Sequence, residues 1–350
     1  MNYLPSMQWL FRLIALAGSI LLCALALEGV LRVAVGPPVI FQFPQERYQP
    51  DPEMGFAMVP NQEAFTHSRA VQTNSLGLRD SEYPAEAPPN TLRILALGDS
   101  QTFGNGIDLE ASWPKQLERK LSVTAPEKTW QVINGGVSGT SPWQHKVLFE
   151  RVLDRQTMDA VVLAVYVNDV EPKPAELSMK HASTNSGSKR LVYLLKRSAL
   201  VTAAVKVYHA QSAKRNPRPE GDWERNIITG APDSAVERGW VEVDRAVGDI
   251  QRRAAARGIP FVILVLSRQD QVDGSLPATS FNEKVAEIAK SNGVAALIDP
   301  LGAMQKAYET AGQALFIPWD GHNTAIANEV IAEALAAPMI TLLPSANRDS

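Results

Sequence analysis

Four short stretches of this chain carry the residue types that acyl transfer needs. Gly98-Asp99-Ser100 presents a hydroxyl just after a glycine turn, and Asn134-Gly135-Gly136-Val137-Ser138-Gly139 is a glycine-rich run able to expose backbone N–H groups. Asn168-Asp169 adds a side-chain amide, and Asp320-Gly321-His322 sets a carboxylate two residues before an imidazole. Together they supply a nucleophile, donors for an oxyanion, a base and a group to orient that base. Each stretch also has a plainer reading. A serine after Gly-Asp commonly caps a helix or closes a turn. Gly139 can relieve a tight turn, Asn168-Asp169 can cap the next segment, and Asp-Gly-His can be a solvated loop. Position in the fold weighs against four such coincidences.

The elements around these stretches alternate strand and helix. Leu92–Leu97, Trp130–Ile133, Ala160–Val167, Ile259–Leu266 and Ala295–Ile298 are short apolar runs that predict strands. Trp113–Leu121, Pro142–Asp154 and Thr324–Leu335 predict helices, with a proline in the first turn of the second. Strands apolar at every position and separated by helices indicate a parallel sheet covered on both faces. The expected fold is therefore α/β, a flavodoxin-like three-layer α/β/α domain with a mostly parallel five-stranded sheet. In such sheets ligands gather beyond the carboxyl ends of the strands. Three of the four stretches follow predicted strands, and the fourth precedes the last helix.

The four blocks, in this order, resemble those that define the SGNH/GDSL hydrolases: Gly98-Asp99-Ser100, Gly139, Asn168 and the late Asp320/His322. The resemblance covers roughly residues 91–335. It extends to a membrane-anchored bacterial branch in which an Asn-x-x-Gly-x-Arg element and a proline-rich stretch come before the serine, as Asn74, Gly77 and Arg79 do here. It implies Ser100 as nucleophile, His322 as base and Asp320 as the residue orienting the ring, with a backbone carbonyl as the alternative orienter. It implies an oxyanion hole made of the Ser100 N–H, the Gly139 N–H and the Asn168 amide, with Asp99 bracing the turn. The family's usual spacing is Asp-x-x-His. Here one residue separates the pair, a shorter form that some branches use.

The rest of the chain bounds the reading. The formal charge of −3 over 350 residues gives no broad attraction to nucleic acid. One cysteine, Cys23, excludes an internal disulfide and a cysteine-based zinc site. His67, His145, His181 and His209 lack the spacing of metal ligands and are expected to be structural or exposed, so neither metal nor cofactor is expected. Leu13–Leu27 is uncharged, and extension from Trp9 to Val35 reaches the roughly 20 residues of a membrane span. A single anchor (residues 1–36) with the catalytic domain in the periplasm is expected. Ala24-Leu25-Ala26 also fits a signal-peptide cleavage site, and a buried amphipathic helix is the third reading. Ile20-Leu21-Leu22 lacks the small residue that lipoprotein processing wants before Cys23.

Pro37-Pro38 ends the apolar segment. Residues 37–90, rich in Pro, Gln and Glu, read as a linker and lead-in arm. Residues 91–340 read as the hydrolase domain, with an insertion at 171–237 that contains a helical patch at 191–210 and polar stretches at 183–189 and 216–233. Trp143 and Trp319 flank two of the blocks and are candidates to stack on sugar rings or simply to pack. The expected activity is removal or transfer of an O-acyl group, such as acetyl, on an envelope carbohydrate or another ester. A silent scaffold of the same fold and a lipid or thioester hydrolase are the alternatives.

Overall fold

The computed structural model describes residues 5–170, 187–215, 223–232 and 234–343. In chain order its helices and strands begin with α1 (Pro5–Ala34). The hairpin strands β1 (Tyr48–Asp51), β2 (Gly55–Met58), β3 (Glu63–Thr66) and β4 (Arg69–Gln72) follow. Next come β5 (Thr91–Gly98), α2 (Ser100–Phe103), α3 (Trp113–Thr124), β6 (Thr129–Gly136), α4 (Pro142–Leu153) and β7 (Ala160–Val165). Then come α5 (Gly187–Leu195), α6 (Ala199–Arg215), α7 (Trp223–Thr229), α8 (Ser234–Ala255) and β8 (Phe261–Val265). The order closes with α9 (Gln269–Val272), α10 (Ser280–Ser291), β9 (Ala296–Ile298), α11 (Leu301–Ala311) and α12 (Ala325–Leu342).

β5 to β9 form one sheet in the order β6-β5-β7-β8-β9, every pair parallel. Alternation along each strand feeds two cores. Leu95, Leu97, Ile133, Leu163 and Ile263 face one, with Phe149 of α4, Val243 of α8 and Val285 of α10. Ile94, Ala96, Val132, Val162 and Leu264 face the other, with Leu117 of α3, Met304 of α11 and Ile331 of α12. Burial on both faces is why β7 and β8 read as unbroken apolar runs. β5 pairs with β6 on one side and β7 on the other, so the strand order reverses at β5. That reversal opens the crevice in which such sheets hold their ligands.

Residues 37–90 depart from the linker reading. β1–β2 and β3–β4 are antiparallel hairpins, and Met54, Phe56, Met58, Ala64, Val71 and Leu78 are buried in the same core as Leu95 and Leu97. Their strands are four residues long, and in β2 and β3 only alternate residues are buried. Apolar side chains so spaced among polar ones leave no run for the eye to find. The Asn74–Asp80 turn is buried around its charges. Asn74 Oδ1 accepts from the Leu76 and Leu78 N–H groups at 3.0 Å each. Asp80 pairs with Lys115 Nζ at 2.9 Å, with almost no exposure of either side chain. Burial disfavours the ammonium, but Asp80 and Glu118 outweigh it and raise the Lys115 pKa.

The chain divides into two compact units. One comprises residues 1–40, 187–217 and 318–320; the other holds 41–186, 218–317 and 321–350, and so contains the sheet. The expected insertion is therefore split between them. Within 191–210 the helical patch is two helices, α5 and the first part of α6. The stretch expected as a polar loop contains α7, whose Ile227 and Ile228 are buried in the sheet unit's core. The remaining calls on 171–186, 216–222 and 233, His181 among them, lie outside the described residues. β7 stops at Val165, and Val167–Val170 turns as a 3-10 helix.

Removing one partner of a buried ion pair strands the other and typically costs about 3–5 kcal/mol. Lys115→Met is expected to lower the melting temperature of the sheet unit by roughly 10 °C, measured by circular dichroism. An unchanged melting temperature would show that the Ser81 and Asn134 N–H groups and the Tyr83 hydroxyl suffice to hold Asp80.

Candidate active site

The sheet register builds the first half of the site. β5 and β6 pair residue by residue from Thr91↔Thr129 to Gly98↔Gly136, so both strands end at glycines side by side. From Gly98 the chain turns through Asp99 into α2, which starts at Ser100. Asp99 caps this helix, its Oδ1 accepting from the Gln101 N–H at 2.9 Å. α2 then lies directly against the end of β6. A Cβ at Gly136 would stand 2.1 Å from the Phe103 nitrogen and 2.6 Å from the Thr102 carbonyl carbon, which is backbone and cannot swing aside. Asn134 ties the contact, its Nδ2 donating to the Thr102 carbonyl at 3.0 Å while its Oδ1 accepts from the Gly136 N–H.

Arg79 holds the far end of the same turn. Its side chain is fully buried, and its guanidinium donates to the carbonyls of Phe103, Gly104, Ile107 and Ala70 at 2.8–3.0 Å. Burial pulls its pKa down to about 10, against the attraction of Glu46 and Asp108, and so leaves it charged at neutral pH. The sequence marked Arg79 only as part of a resemblance. Its four carbonyl acceptors come from segments brought together by folding, and no spacing announces them.

The glycine-rich loop after β6 sits beside this turn. Val137 N donates to the Gly98 carbonyl at 3.0 Å, and Ser138 Oγ donates to Asn105 Oδ1 at 2.8 Å. Gly139 has φ +79°, a left-handed conformation that suits a residue without Cβ. On the other side of β5, Asn168 lies in the 3-10 turn after β7, and its Nδ2 donates to Asp99 Oδ2 at 2.9 Å. An amide nitrogen carries two hydrogens, so one remains for another acceptor. The link from Asp99 to Asn168 joins two of the blocks and was not foreseen from the sequence.

His322 reaches Ser100 from the far end of the chain. Its Nε2 is 2.8 Å from Ser100 Oγ. The hydroxyl's other neighbour, Asp99 Oδ2, is 3.4 Å away, beyond the usual O–H···O range, so the imidazole is the stronger partner. The histidine loop is held by its backbone, with Ile317 N donating to the His322 carbonyl at 2.8 Å and Asn323 N to Gln101 Oε1 at 3.2 Å. Ser100 and His322 are each partly exposed.

Asp320 is exposed and belongs, with Pro318 and Trp319, to the unit of α1, whereas His322 belongs to the sheet unit. Trp319 donates its indole N–H to the Gly36 carbonyl at 2.9 Å, and Lys206 Nζ lies 5.7 Å from its ring centroid. Trp143 is half-buried in the first turn of α4. His145 is buried against Thr140 Oγ1 at 2.9 Å, and among the described residues no three His, Cys, Asp or Glu side chains gather as a metal site requires.

No family model matches the chain. An arylesterase from Vibrio mimicus is 34% identical over 77 residues, which cover 22% of this chain and 38% of that protein, so the match spans well under half of the curated relative. Among solved structures, TesA aligns over 72% of this chain and 99% of its own, at 13% identity and a TM-score of 0.43. A G-D-S-L family lipolytic protein from Desulfitobacterium hafniense aligns over 70% and 98%, at 13% identity and 0.41. Axe2, an acetylxylan esterase from Geobacillus stearothermophilus, aligns over 72% and 94%, at 14% identity and 0.41.

The contact between Gly136 and α2 yields a prediction. Gly136→Ala is expected to push the backbone of α2 away from β6 and displace Ser100. A shift of about 1 Å at a reacting group can cost about 100-fold in rate, so kcat/KM on an activated ester should fall by that order with far-ultraviolet circular dichroism unchanged. Full activity in this variant would mean that α2 does not need the close approach.

Proposed function

We propose that this chain, a member of the SGNH/GDSL hydrolase superfamily by its four ordered blocks and their positions on the sheet, cleaves carboxylic esters through an acyl-enzyme on Ser100. One observation carries the reading: His322 Nε2 lies 2.8 Å from Ser100 Oγ across 222 residues of sequence. In the proposed reaction the imidazole takes the hydroxyl proton as the oxygen attacks the ester carbonyl. The carbonyl oxygen becomes an oxyanion, bound by the Ser100 N–H, the Gly139 N–H and the second hydrogen of the Asn168 amide. Asp99 positions that amide through its 2.9 Å bond. His322 then returns the proton to the departing alcohol, and water, activated by the same ring, releases the acyl group. Asp320 is proposed to orient the imidazole and stabilise its protonated form.

The substrate is proposed to be a small O-acyl ester, such as acetyl, on a carbohydrate of the cell envelope. The named esterases among the similar proteins favour ester chemistry, and the anchor reading favours an envelope substrate. The helix at Gln8–Ala34 is 27 residues long, apolar and without buried residues, the form of a membrane anchor or a signal sequence. We propose a single retained anchor with the catalytic unit on the periplasmic side.

The direct test is turnover of a chromogenic acetyl ester by the full chain in detergent. Ser100→Ala and His322→Ala are expected to lose at least about 1,000-fold in kcat, and Ser100→Ala should also abolish labelling by a serine-directed phosphonate. Asn168→Ala is expected to lose about 100- to 1,000-fold in kcat with KM little changed, because it removes one oxyanion donor. A wild-type protein that neither turns over the ester nor takes the label would overturn the proposal in favour of a silent scaffold.

A further inference from the structure

The unit containing α1 holds a feature that ester chemistry does not use. Glu28, near the end of α1, places its carboxylate on the start of α6. Its Oε1 accepts from the Ala199 N–H at 3.0 Å, and its Oε2 accepts from the Leu200 N–H and from Ser198 Oγ, both at 2.8 Å. Arg32 completes the joint, donating to Glu28 Oε1 and to the Arg197 carbonyl at 2.7 Å each. A carboxylate at a helix N-terminus satisfies orphan N–H groups and meets the positive end of the helix dipole. The joint therefore pins the connection between α5 and α6 to one level of α1.

That level is set by length. The residues from Trp9 to Leu27 span roughly 28 Å as a helix, close to the hydrocarbon thickness of a bilayer. Glu28 and Arg32 then fall at its boundary. α6 leads away from that boundary alongside the end of α1. Lys206, seven residues past Ala199, and Gly36, eight past Glu28, meet the same indole of Trp319. α5 ends at Leu195, immediately before the joint, so its carboxyl end lies at the boundary level. Its Leu191, Leu194 and Leu195, spaced to share one helix face, are 59%, 53% and 55% exposed. Arg190, Lys196 and Arg197 flank them. Between Glu176 and Glu220 the sequence has nine Lys or Arg and no Asp or Glu, in a chain of net charge −3.

We infer that α5 is an interfacial helix: Leu191, Leu194 and Leu195 enter the leaflet at the carboxyl end of α1, and Arg190, Lys196 and Arg197 bind its anionic phospholipid headgroups. Apolar side chains on one helix face with basic flanks are the pattern of a helix lying in the membrane plane. Basic residues near an anionic leaflet are drawn to its headgroups. The joint at Glu28 makes α5 and α1 two attachments of one unit, and the inference rests on reading α1 as a retained anchor.

The test uses the full chain in nanodiscs containing about 30 mol% phosphatidylglycerol. In a Cys23→Ser background, Leu191→Cys, Leu195→Cys and Leu16→Cys each carry an environment-sensitive fluorophore. The labels at 191 and 195 are expected to be quenched by shallow spin-labelled lipid and shielded from aqueous iodide. That quenching should fall about twofold or more in discs lacking phosphatidylglycerol, or when Arg190, Lys196 and Arg197 are replaced by Gln. Labels at 191 and 195 open to iodide while the one at 16 is embedded would overturn the assignment of α5 and leave the anchor standing. A label at 16 also open to iodide would overturn both. Shielding at 191 and 195 that persists in detergent and rises with protein concentration would assign the face to a second copy of the chain and overturn the lipid assignment.

Discussion

Everything at the site depends on how closely α2 can approach the end of β6. The two meet at backbone distance because Gly136 has no side chain, and Asn134 fastens them by donating to the Thr102 carbonyl. That contact fixes the start of α2, and with it Ser100, relative to the sheet. The parallel register then brings the loop at 137–140 alongside, since β5 and β6 end together. Had β6 slipped so that Val137 took the place of Gly136, a side chain would occupy the space the helix needs.

A second layer of buried polar groups keeps this turn in shape. Arg79 gathers four carbonyls from the turn and its neighbours, and Asp80, next in sequence, accepts from the Asn134 N–H at 2.7 Å and pairs with Lys115. Adjacent residues thus brace α2 and β6, the two elements whose contact places Ser100. Buried charges are costly unless fully paired. Arg79 donates to four carbonyls and Asp80 pairs with Lys115 and a backbone N–H, so the cost of burial is offset where the turn needs rigidity. The hairpins before the sheet follow the same logic, since they carry the turn that delivers Arg79 and Asp80.

Asp99 and Asn168 show how one short side chain can serve two elements. One carboxylate oxygen of Asp99 caps α2 and the other receives Asn168 from the turn after β7. Because β5 pairs with both β6 and β7, residues at its end can reach the loops on either side. The site therefore forms where the strand order reverses, and the imidazole is brought in by the loop before the last helix.

Much of this was legible in the sequence. Strands buried on both faces are mostly apolar, so β7 and β8 stood out as unbroken runs and β5 as a run broken by Arg93, and the positions of three of the four blocks at strand ends followed. The pairing of Ser100 with His322 was legible because a hydroxyl and an imidazole have few other reasons to recur in that order. Other features were invisible for a physical reason. The hairpins alternate buried and exposed residues over four positions, too short to stand out from polar surroundings. The carbonyls held by Arg79, the link from Asp99 to Asn168 and the grip of Glu28 on α6 join residues from 9 to 172 apart in sequence. Backbone carbonyls and N–H groups are the same in every residue, so nothing in the one-dimensional order marks which of them a buried charge will meet. Only the folded chain decides that.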